Sequence, residues 1–437
     1  MRAWTTSECS SSNDLTGIAA VRYTADELWP LSGTQSQGDV AQLVRAGVSY
    51  ALGPWFESTH RHPFSTVLAN ACCIVLALGT LLASGCASPM DHSSSRNQDQ
   101  DPSEVDPDNT LNGSGCQGPG CFELGGQIAG SLEQGISTMQ SAGMNWVKYQ
   151  HKYNGGSAGV LSGVIADAHS KGFKVLISVT GQERPSAIDF EGVIRFLGEL
   201  ATFGPDAIEV WNEPNIDREW PSGTIHGSNY VTSLLKPAYD AIKAANSNVL
   251  VISGAPAPTG YFGAAGCTEA GCNDDVFVRD MIAAGGKSAM DCLGVHHNSG
   301  ATSPDATSGH PADPPEDGYH YSWYFKPQLT TYGSLLGANT IPLCLTELGY
   351  LSGEDYGGVP SQFSWASGTT VADHATWLGE AVSMCANGTV DPNVSVRLAI
   401  IFNVNYESYS SDPQAGYAIV RKDGTCHACG PLSSAMQ

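Results

Sequence analysis

Two glutamates in this chain each close a short apolar run. Glu213 lies in the segment Trp211–Asn215, which reads Trp-Asn-Glu-Pro-Asn and follows the run Ala207–Val210, and Glu347 follows the run Pro342–Thr346. The carboxyl ends of parallel strands meet at one edge of a sheet, where α/β barrels place their chemistry. Hydrolysis of a glycosidic bond needs two such carboxyl groups, one to protonate the leaving oxygen and one to attack or to activate water. The pair therefore predicts a sugar-cleaving site.

The elements that must position this pair alternate regularly after Cys121. The predicted strands are Phe122–Ile128, Trp146–Gln150, Lys174–Val179, Ala207–Trp211, Val249–Gly254, Cys292–His296, Pro342–Thr346 and Arg397–Asn403. The predicted helices are Leu132–Ser141, Val160–Lys171, Phe190–Thr202, Tyr230–Ala245, Val276–Ala284, Phe325–Leu336 and Ala372–Ala386. Strands that alternate with crossover helices in this number are typical of an α/β protein with a (β/α)8 TIM barrel. A last helix must be short or missing, because only Pro431–Gln437 remains after the final loop.

In this barrel Glu213 follows the fourth strand and Glu347 follows the seventh. Lys148 from the second strand and His296 and Asn298 from the sixth can form the side of the site that faces the two glutamates. We therefore expect these three polar side chains to contact the substrate.

With Trp220 a few residues on, the segment Trp211–Asn215 resembles clan A of the glycoside hydrolases, retaining enzymes on (β/α)8 barrels. Within the clan it is most similar to glycoside hydrolase family 39 and to cellulase-like groups of family 5. The resemblance covers roughly residues 122–430. In that clan an Asn-Glu pair follows strand four and a glutamate follows strand seven.

The resemblance implies a role for each residue that matches the motif. Glu213 would be the general acid/base, Glu347 the nucleophile, and Asn212 a donor to the sugar 2-hydroxyl. Glu213 must then be protonated when substrate arrives, which requires surroundings that raise its pKa, while hydrogen bonds must keep Glu347 ionised. Two carboxyl groups suffice for this reaction, so no cofactor is implied.

The sixth and eighth strands depart from the clan pattern. His296 matches the His of a His-x-Tyr pattern after strand six, but Asn298 stands where the Tyr is usual. Since that Tyr normally hydrogen-bonds the nucleophile, either Asn298 or a tyrosine from elsewhere must orient Glu347. The run 401–406 also lacks the Trp that commonly forms the floor under the sugar.

Two aromatic residues and two histidines leave alternatives open. Trp220 and Trp323 lie in loops after strands four and six, where each could stack on a sugar ring or simply pack in the core. The adjacent His296 and His297 could suggest a metal site. Neighbours on a strand point to opposite faces, however, and no third ligand is obvious, so no metal is predicted.

Charge excludes one class of partner. The chain carries 43 acidic against 20 basic residues, a formal charge of -23. Such a field repels nucleic acid and anionic lipid surfaces. Neutral sugars are recognised by hydrogen bonds and stacking, so a carbohydrate substrate fits this composition and a nucleic-acid partner does not.

The 13 cysteines indicate an oxidising compartment. Cys116 with Cys121, Cys267 with Cys272, and Cys426 with Cys429 are close enough in sequence to form local disulfides. Cys292 and Cys344 lie inside apolar strand-like runs, so we expect both to be buried thiols. The odd number beyond the export segment leaves at least one cysteine unpaired.

The amino-terminal part predicts export. An apolar run from Val67 to Ala87, preceded by a basic residue, has the layout of a signal peptide, assigned to residues 61–86. Its end resembles a bacterial lipobox that would lipidate Cys86 and attach the protein to a membrane, although Ala83 replaces the usual Leu. Plain cleavage and an uncleaved anchor are the alternatives.

The flanking segments complete the predicted organisation. Residues 1–60 show no periodic pattern and are either unstructured or ahead of the true start, residues 87–120 form a polar disordered linker, and residues 121–437 form the barrel. The expected function is an exported glycoside hydrolase that acts on β-linked extracellular sugars. One alternative is a catalytically silent barrel that binds polysaccharide, and another is an interaction lipoprotein with no sugar role. Oligomeric state and sugar identity are not indicated.

Overall fold

The computed structural model describes residues 121–437, apart from 260–261, 263–264, 314–319 and 339. The predicted signal peptide with Cys86, the linker and residues 1–60 lie outside the described residues. Among the helices that are described, none has the length and apolarity needed to cross a membrane.

Eight parallel strands form the centre of the structure. They are β1 (Glu123–Gln127), β2 (Trp146–Lys152), β3 (Lys174–Thr180), β4 (Ala207–Val210), β5 (Leu250–Ser253), β6 (Leu293–Gly300), β7 (Leu343–Tyr350) and β8 (Val396–Ile401). Their order is β5-β4-β3-β2-β1-β8-β7-β6, and a parallel bridge between Ile252 and Cys292 joins the two outer strands. The predicted (β/α)8 TIM barrel is confirmed.

Helices connect the strands, as predicted. They are α1 (Ile136–Ser141), α2 (Ser162–Ser170), α3 (Phe190–Thr202), α4 (Gly227–Tyr230), α5 (Lys236–Ala245), α6 (Asp274–Ala283), α7 (Phe325–Leu336), α8 (Val371–Ala386) and α9 (Cys429–Ala435). A π-helical turn, Val231–Leu235, joins α4 to α5, so the two together match one predicted helix. The last helix is short, in agreement with the prediction.

The helix α3 shows why these segments pack outside the barrel. The Asp189 carboxylate accepts a hydrogen bond from the Gly192 N–H at 3.0 Å and caps the first turn. The buried residues along the helix recur at helical spacing: Val193, Phe196, Leu197 and Leu200. This spacing produces one apolar stripe that covers the outer face of the strands.

The barrel interior is apolar at one end and polar at the other. Apolar side chains fill the end where the strands begin: Trp146, Leu176, Ala207, Leu250, Ile252, Cys292, Cys344, Leu398 and Ile400. Lys148, Ser178 and Glu209 each stand two residues further along their strands, and side chains on a strand alternate, so they face the same interior. All three are fully buried. The barrel therefore carries charge directly below its carboxyl edge.

The disulfides confirm two predictions and correct a third. Cys267–Cys272 and Cys426–Cys429 are bonded, and Cys385 is a buried free thiol. Cys116 lies outside the described residues. The prediction that Cys292 and Cys344 are thiols was wrong, because these residues form a disulfide. The pairing of β6 with β7 brings both side chains together in the barrel interior, a proximity that the linear sequence does not contain.

We expect the Cys292–Cys344 disulfide to stabilise the fold more than the Cys426–Cys429 disulfide. The first bond spans 52 residues and the second spans 3, and the loss of entropy in the unfolded chain grows with loop length. Replacing both members of the long pair by Ala should lower the free energy of unfolding by about 4 kcal/mol, against about 1.5 kcal/mol for the short pair. Denaturant unfolding of the two double variants tests this order, and equal losses would contradict it.

The helix α6 carries a buried carboxyl at its first residue. Asp274 is fully buried, accepts a hydrogen bond from the Tyr332 hydroxyl at 2.6 Å, and burial raises its pKa from 3.8 to about 7. The folded state then holds a proton that the unfolded state releases, so this contribution to stability is complete below pH about 4 and is lost as the pH rises to about 7.

Replacing Asp274 by Asn should remove this part of the pH dependence, which amounts to about 4 kcal/mol between the two limits. Urea unfolding at several pH values measures it. Asp240→Asn, at an exposed carboxyl on α5, is the matched control and should keep the wild-type slope. An unchanged slope in Asp274→Asn would show that Asp274 is already ionised in the folded protein.

Candidate active site

The turn that follows β4 presents Glu213 in an unusual backbone conformation. Trp211 has a φ of 80° and Glu213 a φ of 41°, both in the left-handed region that non-glycine residues rarely adopt. Such conformations persist only where surrounding contacts enforce them, and they concentrate at functional sites.

Those contacts come from two side chains of the same motif. The Asn215 amide donates to the carbonyls of Ala257 and Cys272 at 3.1 and 3.3 Å, and its oxygen accepts from the Ala257 N–H at 2.8 Å. The Trp211 indole donates to the Glu219 carbonyl at 2.9 Å. The motif thus fastens its own turn to the loop after β5, which explains why Asn215 and Trp211 accompany the glutamate.

The structure brings the two predicted glutamates together around a histidine. His296 Nδ1 lies 3.0 Å from Glu213 Oε1 and 3.5 Å from Glu347 Oε2. One carboxylate oxygen of each glutamate and one ring nitrogen of His296 all lie within 4.8 Å of one another. All three residues are fully buried. The predicted pair is therefore one compact acid-base cluster.

Asn298 occupies the position that the missing tyrosine would have filled. Its amide donates to Glu347 Oε2 at 3.0 Å. The register between β6 and β7 shifts at Val295 and His296, and beyond the shift His296 pairs with Glu347. Because of this irregularity both Thr346 and Glu347, although adjacent in sequence, reach the barrel interior. Asn298 therefore orients Glu347 in place of a phenol.

Lys148 lies below the pair and has protein partners. Its Nζ donates to the Thr346 carbonyl at 3.0 Å and lies 3.3 Å from Glu209 Oε2 and 3.5 Å from Glu347 Oε1. Three protein oxygens thus surround its three N–H groups, and a contact between Lys148 and the substrate stays a prediction. Glu209 was missed by the sequence reasoning. A charged residue inside a buried strand, two residues beyond an apolar one, is the signal that could have revealed it.

Burial and charge act differently on these groups. Burial raises the pKa of Glu347, and the positive charges of His296 and Lys148 offset this only in part. Burial would lower the pKa of His296, but the charge of Glu347 and the contact with Glu213 raise it overall. Two neighbouring cations and the hydrogen bond from Asn298 therefore favour the ionised form of Glu347, and its ionisation stays a prediction.

A further carboxyl lies beside the predicted acid/base. Glu219 is almost fully buried and accepts a hydrogen bond from the Thr180 hydroxyl at 3.0 Å. Burial, followed by the negative charge of Glu213, raises the pKa of Glu219 to about 8. Near neutral pH the raised pKa favours the protonated form of Glu219 while Glu213 is ionised.

Asn212 is fully buried next to Glu213, and neither polar atom of its amide has a hydrogen-bond partner among the described residues. A buried amide without partners is costly in free energy and calls for an explanation. The amide is thus available to a ligand, and a hydrogen bond from Asn212 to a sugar hydroxyl, which the resemblance implies, stays a prediction.

The two tryptophans considered for stacking on a sugar ring lie in different surroundings. Trp220 is 2% exposed and packs between Phe190, Trp211 and Tyr230, so the structure places it in the core and not on a sugar-binding surface. Trp323 is partly exposed and stacks on His310 with ring centroids 5.0 Å apart. Its contact with a sugar stays a prediction.

Tyr406 stands near the place where the eighth strand lacks a Trp. Its hydroxyl accepts a hydrogen bond from Gln127 Nε2 at 2.9 Å. Burial raises the pKa of Tyr406 to about 12, and the charge of Glu347 contributes to the increase. A partly buried phenol therefore borders the pair on this side.

The donor atoms of Glu213, His296 and Glu347 have the spacing that a metal ion could use. The ammonium of Lys148, 3.5 Å from Glu347, would repel a cation at that point. His297 faces away from the cluster and lies 2.9 Å from Gln328 of α7, as expected for neighbours on a strand. We therefore interpret the three residues as an acid-base cluster.

A cavity of about 1180 Å³ opens at the other end of the barrel, where the strands begin. Two of the lysines that line it are in ion pairs: Lys174 with Glu123 and Lys243 with Asp291, both at 2.6 Å. In TIM barrels this end serves stability and the opposite end serves catalysis. The acid-base cluster at the carboxyl edge is the better candidate.

The fold is similar to that of several solved glycoside hydrolases. A GH113 β-1,4-mannanase matches at 11% identity over 73% of this chain and 98% of its own, with a TM-score of 0.42. A GH26 β-mannanase from Bacteroides ovatus matches at 12% identity over 72% and 88%, with a TM-score of 0.44. A GH10 endoxylanase from a sugarcane soil metagenome matches at 11% identity over 72% and 97%, also with a TM-score of 0.44.

No family model matches the sequence, and no curated protein matches it. None of these three structures is described as family 39 or family 5, so that finer assignment stays a prediction. At such low identity and TM-scores the similarity carries no information on the substrate.

We expect Asn215 to hold the turn that carries Glu213. Replacing Asn215 by Ala removes three buried hydrogen bonds and should lower the free energy of unfolding by about 2 to 4 kcal/mol. Denaturant unfolding measures this. Asn248→Ala, at an exposed position, is the matched control and should change stability by less than about 0.5 kcal/mol. A similar, small loss in both variants would show that the turn is held without Asn215.

Proposed function

We propose that this chain is a retaining glycoside hydrolase that cleaves β-glycosidic bonds of an extracellular poly- or oligosaccharide. Glu213 is the general acid/base and Glu347 the nucleophile. The observation that carries the proposal is the approach of their carboxylate oxygens to within 4.8 Å across the carboxyl edge of the barrel.

This separation favours retention over inversion. In retaining enzymes the two carboxyl groups lie about 5 to 5.5 Å apart, so that one attacks the sugar directly. Inverting enzymes need about 6.5 to 9.5 Å to admit a water molecule between carboxyl and sugar. The approach of Glu213 and Glu347 to within 4.8 Å lies below the inverting range.

The reaction proceeds in two displacements. Glu213 gives its proton to the glycosidic oxygen while Glu347 attacks the anomeric carbon, so the leaving sugar departs with the proton and a covalent glycosyl-enzyme forms. Glu213, now ionised, takes a proton from water, whose oxygen attacks the same carbon and releases Glu347. The product keeps the original configuration, and both carboxyl groups return to their first states.

The surrounding side chains fit these steps. His296 contacts both glutamates, so its charge favours the ionised form of whichever one has lost its proton. Asn298 orients the attacking oxygen of Glu347. The unpartnered amide of Asn212 can donate to the sugar 2-hydroxyl, a hydrogen bond that strengthens in the transition state.

Export is part of the same proposal. It rests on the apolar segment from Val67 to Ala87 and on the lipobox-like end at Cys86. Disulfides in the barrel are in agreement with an oxidising compartment. A surface-anchored or secreted enzyme would meet polysaccharide outside the cell.

The proposal is tested by trapping the covalent intermediate. The protein is incubated with a panel of 2-deoxy-2-fluoro glycosides that carry good leaving groups and is then analysed by mass spectrometry. We expect a label on Glu347 with the preferred sugar. Glu347→Gln should give no label and should lower kcat on the order of 10⁴-fold. Glu191→Gln, an exposed glutamate on α3, is the matched control and should behave as wild type.

A second variant separates the two glutamates. Glu213→Ala should retain labelling by glycosides whose leaving group needs no proton, and added azide should restore its turnover, because azide attacks the intermediate without a general base. If no sugar labels the protein while a glycan array shows binding that survives Glu347→Gln, the silent polysaccharide-binding barrel replaces the enzyme.

A further inference from the structure

Glu209 takes no part in the steps above, although it lies directly below the two reacting glutamates. It is fully buried, and its position is set from several sides. Oε1 accepts a hydrogen bond from the Thr346 hydroxyl at 2.6 Å and one from the Ala255 N–H at 3.4 Å. Oε2 lies 3.3 Å from Lys148 Nζ. A carboxyl held by so many donors is fixed in both place and orientation.

The neighbours of Glu209 favour its charged form. Burial would raise its pKa, but Lys148 and His296, together with the Thr346 hydroxyl, hold the pKa below its usual range. The ionised form of Glu209 is thus favoured at the base of the cluster, whereas burial raises the pKa of Glu347. The two buried glutamates share the cation Lys148 but differ in how firmly they hold their charge.

The histidine connects this anion to the reacting pair. His296 Nε2 lies 3.8 Å from Glu209 Oε1, and Nδ1 lies 3.0 Å from Glu213. Each ring nitrogen therefore faces a carboxylate, an arrangement that favours the doubly protonated ring. At 3.8 Å the contact with Glu209 is not a hydrogen bond, so Glu209 acts on the buried ring through its negative charge.

We propose that Glu209 is a positioning residue that, together with Lys148, holds His296 in its charged form between Glu213 and Glu347 and thereby sets how protons are distributed over the two reacting carboxyls. The effect of Glu209 on catalysis rests on the proposed function, whereas the electrostatic coupling of Glu209 and Lys148 to His296 does not. Glu209 touches no reacting atom and acts only through its two neighbours.

Other titratable groups face the cluster and must be accounted for. Glu219 and Arg218 lie near Glu213, and Tyr230 faces Glu209. Tyr406 and Tyr417 face Glu347. Burial raises the pKa of all three phenols, so they stay neutral over the working range of pH. Their charge therefore does not change with pH in the experiments below, in which the charge of Glu209 is removed.

The coupling predicts shifts of opposite sign for the two members of the ion pair. Removing the negative charge with Glu209→Gln should lower the titration midpoint of His296 by about one pH unit, because the charged ring loses an anion. Removing the positive charge with Lys148→Met should raise it by a similar amount. The double variant removes both charges, so its midpoint should lie within about half a pH unit of wild type.

Nitrogen-15 NMR of the histidine rings in the full chain measures these midpoints, and His296→Gln identifies the signal. Thr346→Val is the matched control, since it removes a hydrogen bond to Glu209 but no charge, and it should leave the midpoint within about half a pH unit. Circular dichroism verifies folding. If a single variant fails to fold, the other single variant and the double variant still test the sign and the cancellation.

The pH dependence of kcat/KM gives the second measurement. Both limbs of the profile should shift to lower pH in Glu209→Gln and to higher pH in Lys148→Met, because every group in the cluster responds to the same charge. A lower kcat without any shift, or shifts of the same sign in both variants, would reduce Glu209 to a packing residue. If the NMR shifts occur but no glycoside is cleaved, the coupling stands and the proposed function fails.

Discussion

A carboxylate can remain charged inside a protein only if a cation or hydrogen-bond donors accompany it, and this constraint organises the whole carboxyl edge of the barrel. Glu209, Glu213 and Glu347 are fully buried. Lys148 lies within 3.5 Å of two of them, and His296 contacts the third. Removing one member of such a buried ion pair typically costs about 3 to 5 kcal/mol. The same contacts therefore support the fold and the proposed chemistry.

The fold meets this constraint through two local irregularities. After β4 the chain enters the left-handed region at Trp211 and Glu213, which turns the glutamate over the barrel. Between β6 and β7 the register shifts, so that Thr346 and Glu347 both reach the interior. Regular strands would have sent one of those two side chains outward. These two local departures from ideal geometry thus bring polar side chains from β6, β7 and the turn after β4 together.

The departures from the clan pattern are easier to understand in this setting. The resemblance leads one to expect a tyrosine beside Glu347, and in this structure the Asn298 amide donates to Glu347 Oε2 at 3.0 Å. An amide donates a hydrogen bond without being able to ionise, so the charge balance around Glu347 falls to Lys148, His296 and Glu209. The substitution at strand six and the charged layer below it belong to one arrangement.

The amino-acid sequence by itself determined the elements and the pair. Alternating apolar runs and helix-length segments predicted all eight strands, because strand and helix periodicities are local properties. Glu213 follows β4 as predicted, whereas Glu347 lies within β7, which continues to Tyr350 beyond the predicted end at Thr346. Tertiary structure alone decided which distant groups meet. It joined Cys292 to Cys344, buried Trp220 in the core, and placed Lys148 against Glu209 and Glu347. Register and barrel closure set these contacts, and neither is encoded within any one segment.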